Sequence, residues 1–195
     1  MPLTKMSPLL QKAANEGYAV GSFSVANMEM VLGVLKAVEE TESPAIIQIA
    51  EVRLKQSPLE VIGPLMVAAA KSCKMPVAVH FDHGKTEEKI TEALELGFTS
   101  VDALAVAIGN AHGNYKQAPK LRFDILEETA GLVPVPLVLH GGTGILPDDF
   151  RKCVSLGIRK INIATATFDS VEASVRSAYS GGKIGGYYDL QAAEV

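Results

Sequence analysis

The sequence predicts an α/β protein built on a parallel sheet, and three observations carry that prediction. Short, β-branched, nearly continuous apolar runs, among them Ala45-Ile46-Ile47-Gln48-Ile49-Ala50 and Pro76-Val77-Ala78-Val79-His80-Phe81, read as strands covered on both faces. Stretches with helical apolar spacing lie between them. One punctuation recurs: Ser43-Pro44, Met75-Pro76 and Val135-Pro136 launch strands, and Leu96-Gly97 and Leu156-Gly157 close helices. Repeated βα units imply right-handed crossovers and a parallel sheet, either open or closed into a barrel. Six strands are recognisable. A closed (β/α)8 barrel needs eight, so the count alone leaves both forms open.

Residues 4–17 read as an opening helix, with Leu9, Leu10 and Ala13 on one face and Gly17 as its stop. A first strand follows over 18–25. Residues 27–40 carry Met28, Val31, Leu32, Leu35 and Val38 on a helical stripe, with Asn27 as N-cap. Strand two covers 45–50, a helix 59–72, and strand three ends in Asp82-His83-Gly84. Thr86 caps a helix over 86–96, and after Phe98-Thr99-Ser100 the chain enters a strand through Leu104–Ile108 that leads to His112. Residues 123–129 are helical, 136–139 form a strand leading to His140, 148–156 are helical, 160–165 form the last strand, and a helix runs through 168–179. The tail over 180–195, rich in glycine and tyrosine, is expected to be loop-like and to fray.

The 195 residues fit one domain spanning the chain, large enough to bury a core. A formal net charge of −4 provides no basic stripe to neutralise phosphates, which excludes a nucleic-acid partner from the expectation. No run approaches the ~18 apolar residues of a membrane span, and residues 1–10 lack a secretory core, so no membrane partner and a cytoplasmic location are expected. Cys73 and Cys153 lack metal-ligand spacing and are expected to be buried free thiols.

Three apolar runs end in a histidine followed by glycine: His83-Gly84, His112-Gly113 and His140-Gly141. In a parallel sheet these imidazoles, from distant parts of the chain, finish on one rim. Three protein ligands with an open position is the pattern of a catalytic zinc site. Asp82 beside His83 is read as an acid/base or, alternatively, as a group that merely orients an imidazole, with the turn placed at Gly84; His80, on the same strand face as Asp82, is read as a supporting or core histidine rather than a ligand. Gly141-Gly142-Thr143-Gly144 lies between a strand and a helix, and its backbone amides suit an anion; Asn162-Ile163-Ala164-Thr165, the tip of the next strand, is where barrels commonly complete a phosphate site. No lysine suits imine chemistry: Lys160 opens the last strand and is expected at the opposite rim.

His80-Phe81-Asp82-His83-Gly84, the run from Asp102 to Gly113, Leu137-Val138-Leu139-His140-Gly141-Gly142-Thr143-Gly144 and Lys160-Ile161-Asn162-Ile163-Ala164-Thr165 closely resemble the motifs of class II, zinc-dependent ketose-bisphosphate aldolases. The resemblance runs from the opening helix to about Thr167. It implies a TIM barrel assembled as a homodimer or homotetramer, cleaving a fructose- or tagatose-bisphosphate to dihydroxyacetone phosphate and glyceraldehyde 3-phosphate. By motif, His83, His112 and His140 match the Zn²⁺ ligands and Asp82 the residue that exchanges a proton at the C4 hydroxyl. Gly113, Gly141, Thr143, Asn162, Ala164 and Thr165 match positions that hold the dihydroxyacetone phosphate part, and Gly142 joins them in the glycine loop. A monovalent cation, Na⁺ or K⁺, is a possible companion of the phosphate. The chain also departs from the family. About two βα units are absent after Ser100, including a mobile loop whose glutamate shuttles protons, and Ser24 stands where asparagine is usual. The expected fold is therefore an incomplete barrel. The expected function is aldol cleavage, with a weakly active deletion variant and a non-catalytic phosphosugar- or metal-binding module as alternatives.

Overall fold

The computed structural model describes residues 3–101, 103–117 and 119–195; Asp102, which opens the second of the His-bearing runs, lies outside them. The chain begins with α1 (Met6–Glu16), ended by Gly17 in the left-handed conformation (φ 74°), and continues through β1 (Val20–Ser24), α2 (Met28–Glu40), β2 (Ala45–Ala50), α3 (Leu59–Ser72) and β3 (Val77–Asp82). Then come α4 (Glu87–Glu95), β4 (Ser100–Val101), α5 (Phe123–Leu132), β5 (Leu137–Leu139), α6 (Pro147–Ser155), β6 (Ile158–Ile163), α7 (Thr165–Ser180) and α8 (Tyr187–Glu194). The strands form one all-parallel sheet in the order β4-β3-β2-β1-β6-β5, curled into a half-barrel.

Local chemistry accounts for the elements. Asn27 accepts a hydrogen bond from Met30 N at 2.9 Å, and Thr86 one from Lys89 N at 3.4 Å, so both predicted N-caps satisfy a donor that a helix start leaves open. The buried stripe of α2 is Met30, Val31, Leu35 and Val38. Met28 and Leu32, assigned to it by spacing, are 44% and 45% exposed, because the stripe is rotated toward β2 and α3. β2 and β3 are buried along nearly their whole length, as their apolar runs require. Their outer side chains, Ile47, Ile49, Val77, Val79 and Phe81, pack with α2 and α3 in the main core. Each such aliphatic side chain contributes roughly 1.5–3 kcal/mol on burial. A second cluster joins β5, β6, α5 and α6. α1 closes the floor of the half-barrel with Met6, Leu9, Leu10 and Ala13 against Val20, Ile46 and Ala78.

Three expectations are corrected. The strand through Leu104–Ile108 is reduced to a single parallel bridge, Ala105 to Val138, with Val138 N donating to Leu104 O at 2.9 Å. Among the described residues β4 pairs only with β3, and the chain then crosses to β5, so this segment has one described neighbour along which to extend; Leu104 is 45% exposed beside it. The tail over 180–195 is not all loop. α8 packs on α2 and α7, held by Asn27 Nδ2 donating to Glu194 Oε2 and Gln191 Nε2 donating to Glu29 Oε1, each at 2.8 Å. Gly33 permits the approach, since a Cβ there would lie 2.9 Å from Val195 O. Lys160, expected at the opposite rim, is the third residue of β6, paired with Val20, and its side chain is fully buried in the half-barrel interior. Cys73 and Cys153 are free and buried, and no described helix is long and apolar enough to cross a membrane.

Candidate active site

In a parallel sheet, alternate residues of each strand face the barrel interior. Here they are Ser22 and Ser24 of β1, Gln48 of β2, His80 and Asp82 of β3, and Lys160 and Asn162 of β6. Apart from Ser24, all are buried, and they form a continuous polar network. Gln48 Nε2 donates to Asp82 Oδ2 at 3.3 Å, and Asn162 Nδ2 donates to Asp82 Oδ1 at 3.2 Å. Lys160 Nζ donates to Gln48 Oε1 at 3.0 Å and to Asn162 Oδ1 at 2.5 Å. Burial acts to raise the proton affinity of Asp82. The His80 ring, the Lys160 ammonium and His83 outweigh it and hold the carboxyl far below the usual carboxylate range. The His80 Nε2 to Asp82 Oδ1 separation of 3.6 Å is an electrostatic contact, too long for a strong hydrogen bond. His80 Nδ1 lies 3.0 Å from Ser100 Oγ, a contact that fixes the ring in the core and away from the other histidines.

At the carboxyl end of the strands, His83, His112 and His140 each bring one ring nitrogen within 4.8 Å of the other two. Their ring centroids are 4.6, 5.3 and 6.0 Å apart. His83 directly follows β3 and adopts φ 53°, a left-handed conformation that a non-glycine residue holds only under constraint. The turn expected at Gly84 therefore falls one residue earlier. Gly84 serves packing instead, because a Cβ there would stand 2.7 Å from Ile90 Cγ1. Glu51 steadies this loop by accepting from Lys85 N at 2.5 Å and Thr86 N at 3.1 Å. Burial, with His83, Lys160 and His112 acting in the same sense and Asp82 opposing, pushes His140 down to about 4. Its imidazole is thus neutral at neutral pH and offers a lone pair, the form a metal requires. Three imidazoles from three separate segments at this spacing fit one divalent cation.

His112 has no strand beneath it, and two residues that motif reading gave no role hold it in place. Asn110 Nδ2 donates to His140 O at 2.5 Å, while its Oδ1 accepts from Ile108 N. The Tyr115 hydroxyl bridges Ala111 N, Ala111 O and Gly141 O at 2.7, 2.8 and 3.0 Å. Gly141 (φ 61°) is obligatory at this crossing, because a Cβ would lie 2.1 Å from Ala111 O. Thr143 Oγ1 accepts from Ala166 N at 3.1 Å and so ties the glycine loop to the first turn of α7. A small cavity is lined by Asp82 and His112 together with Gly113, Gly141, Gly142, Thr143, Asn162, Ala164 and Thr165, and by Ser24 and Gln48. Every residue matched to substrate thus sits beside the histidines. A mostly apolar cavity of about 460 Å³ lies elsewhere, between α2, α7 and the outer face of β1, and contains none of these residues.

The family profile described as fructose-bisphosphate aldolase class-II matches residues 4–101 and 99–193. The chain belongs to the class-II fructose-bisphosphate aldolase family. It is an aldolase, of the lyase class, and metal dependence and a phosphosugar substrate come with the family. The two matched stretches meet at residues 99–101, where the chain leaves β4. A Bacillus subtilis relative, "Probable fructose-bisphosphate aldolase", is 30% identical over 245 positions, covering 90% of this chain and 86% of the relative. That alignment is longer than the chain itself, because the relative carries positions missing here. A "Sulfofructosephosphate aldolase" of Alkalicoccus urumqiensis is 30% identical over 225 positions, covering 80% of this chain and 78% of that one. Among solved structures, the YdjI aldolase of Escherichia coli K12 superposes with a TM-score of 0.91 at 28% identity, covering 98% of this aldolase and 91% of that chain.

Proposed function

We propose that this chain is a zinc-dependent aldolase acting reversibly on a ketose 1,6-bisphosphate, fructose- or tagatose-bisphosphate, to give dihydroxyacetone phosphate and glyceraldehyde 3-phosphate. The observation that carries the proposal is the convergence of His83, His112 and His140 beside the ionised Asp82 and the Gly141–Gly144 loop. His83, His112 and His140 would hold Zn²⁺, which supplies Lewis-acid polarisation of the substrate ketone. Asp82 takes the proton of the C4 hydroxyl as the C3–C4 bond breaks, releasing the aldehyde and leaving the bonding pair on the dihydroxyacetone phosphate half. Asn162 and the backbone of Gly113, Gly141, Gly142, Thr143, Ala164 and Thr165 grip that half and its phosphate, alone or with Na⁺ or K⁺. Holding it in one pose lowers the entropic part of the barrier. The proposal includes a single domain with an internal deletion at 100–101, a homodimer or homotetramer, and a cytoplasmic location suited to the buried free thiols.

A second reading, a slow variant of the same enzyme, is favoured by one observation. Among the described residues lining the cavity, Asp82 is the sole carboxylate. The proton that completes C3 of dihydroxyacetone phosphate then comes from solvent. The test is cleavage of fructose-, tagatose- and sulfofructose phosphates by zinc-loaded chain, with released dihydroxyacetone phosphate read by enzymatic reduction. Asp82→Asn should keep its zinc and lose about 10²–10⁴-fold in rate. Zinc bound in full with no turnover of any of the three sugars sinks the catalytic reading and leaves a binding module.

A further inference from the structure

Lysine is almost never fully buried without partners, yet Lys160 has no exposed surface and stands inside the half-barrel beneath Asp82. Its ammonium carries only donors, so each amide it meets must turn its oxygen toward it. Among its partners are two such amides: Gln48 Oε1 at 3.0 Å and Asn162 Oδ1 at 2.5 Å. Ser22 Oγ donates to the same Gln48 oxygen at 2.5 Å. With both oxygens committed, both NH₂ groups are turned toward the carboxylate, Gln48 Nε2 to Oδ2 at 3.3 Å and Asn162 Nδ2 to Oδ1 at 3.2 Å. A flip of either amide would face its oxygen to a carboxylate oxygen and abandon a charge-assisted bond at each end.

We propose that Lys160 is a positioning residue: by fixing the orientation of Gln48 and Asn162 it clamps the Asp82 carboxylate in a single pose below the metal and phosphate site. The inference rests on the reading of Asp82 as the group that accepts the C4 hydroxyl proton. In this role Lys160 acts through the two amides. Buried opposite charges joined by hydrogen-bonded amides also offset one another's desolvation, which explains why an ammonium is tolerated there.

The test compares wild type, Lys160→Met, Asp82→Asn and the double variant, each loaded with zinc. Lys160→Met should bind zinc and inorganic phosphate within about threefold of wild type and keep its KM, while kcat falls about 100-fold. Because Lys160 works through Asp82, the double variant should be no more than about threefold slower than Asp82→Asn alone. A kcat within threefold of wild type, or losses that multiply in the double variant, would overturn the inference. Since Lys160→Met leaves a buried carboxylate without its counter-charge, a measurement on intact wild-type chain accompanies it: hydrogen exchange of the ¹⁵N-labelled Gln48 and Asn162 side-chain amides. Protection of both supports the clamp, and exchange of either at the rate of a free amide overturns it. If wild type and Asp82→Asn are equally inactive, the catalytic reading of Asp82 has failed, and the exchange measurement alone decides the clamp.

Discussion

Gly141→Ala tests whether the crossing of two loops builds the metal site. The added Cβ would stand 2.1 Å from Ala111 O and 2.6 Å from Ala111 C, where ordinary contact begins at 3.4 Å. Either the segment carrying His112 or the one following β5 must therefore move by more than 1 Å. The residue also keeps φ 61°, a left-handed conformation costing an alanine about 1–2 kcal/mol. Overpacking adds about 1–3 kcal/mol, so a loss of roughly 2–5 kcal/mol is expected. For a chain of this size that lowers the melting temperature by about 4–20 °C. Because His140 immediately precedes the crossing, zinc affinity should fall about 10–100-fold, the range seen when support of metal ligands is lost. Differential scanning fluorimetry and competition against a chelating dye read the two effects. Gly131→Ala is the control: it lies within α5 with nothing within 4 Å of its Cβ, and it should leave both unchanged or raise stability slightly. A Gly141→Ala protein that melts within 2 °C of wild type and holds zinc within threefold would refute the claim that this crossing sets the ligand geometry.

Alanine at His83, His112 or His140 should each lower bound zinc, measured by elemental analysis after dialysis, from about one per chain to a small fraction; full retention in any one removes that residue from the ligand set. Tyr115→Phe deletes a hydroxyl that bridges Ala111 and Gly141, so stability should drop by about 1–2 kcal/mol in a denaturant titration and zinc affinity should weaken with it; an unchanged midpoint would contradict the role. Burial, helped by Asp149 and opposed by Lys152, pushes the Cys153 thiol up to about 11. At pH 8 it stays protonated, so iodoacetamide should modify it only in denaturant, as peptide mass spectrometry would reveal. Asn27→Ala removes both the α2 N-cap and the bond to Glu194; a loss of about 1 kcal/mol or more, with α8 amides exchanging faster, is expected.

Residue patterns made the βα alternation legible, because strands buried on both faces must be apolar runs and helices ended by glycine or proline reveal their bounds. Asn27, Thr86 and Gly17 announced their caps for the same local reason. What stayed hidden depends on neighbours. The Leu104–Ile108 run has strand composition, yet a ladder needs a partner along its length, and here the chain crosses from β4 to β5 and leaves it one bridge. α8 forms from a glycine- and tyrosine-rich stretch because α2 and α7 give it a surface to cover. Composition alone places Lys160 at a rim, because a lysine near a strand start usually reaches solvent, whereas it lies buried inside the half-barrel. Its signal, and that of Gln48, was a polar residue interrupting a buried strand, which in a parallel barrel means an interior polar network.

The missing staves fall where the site can spare them. Asp82, Gln48, Asn162, Lys160 and the residues leading to His83 and His140 belong to β3, β2, β6 and β5, and with β1 these form one uninterrupted arc, β3-β2-β1-β6-β5. The discontinuity lies between β4 and the segment bridged to Val138, at the far ends of that arc. Every strand carrying a site residue therefore keeps a hydrogen-bonded neighbour, and the interior network is tied across four strands without needing the barrel to close. Of the three histidines, His112 alone comes from beyond the arc. It is held by Tyr115 and Asn110 against the loop after β5, which replaces the support of a strand ladder with four side-chain hydrogen bonds to Ala111, Gly141 and His140. The geometry for binding a metal and a phosphosugar can therefore persist in a half-barrel, in which Asp82 is the sole carboxylate among the described residues that line the cavity. Metal affinity and catalytic rate should consequently respond independently: changes around Tyr115 and Gly141 move the first, and a carboxylate introduced at the open edge near Leu104 raises the second without altering zinc content.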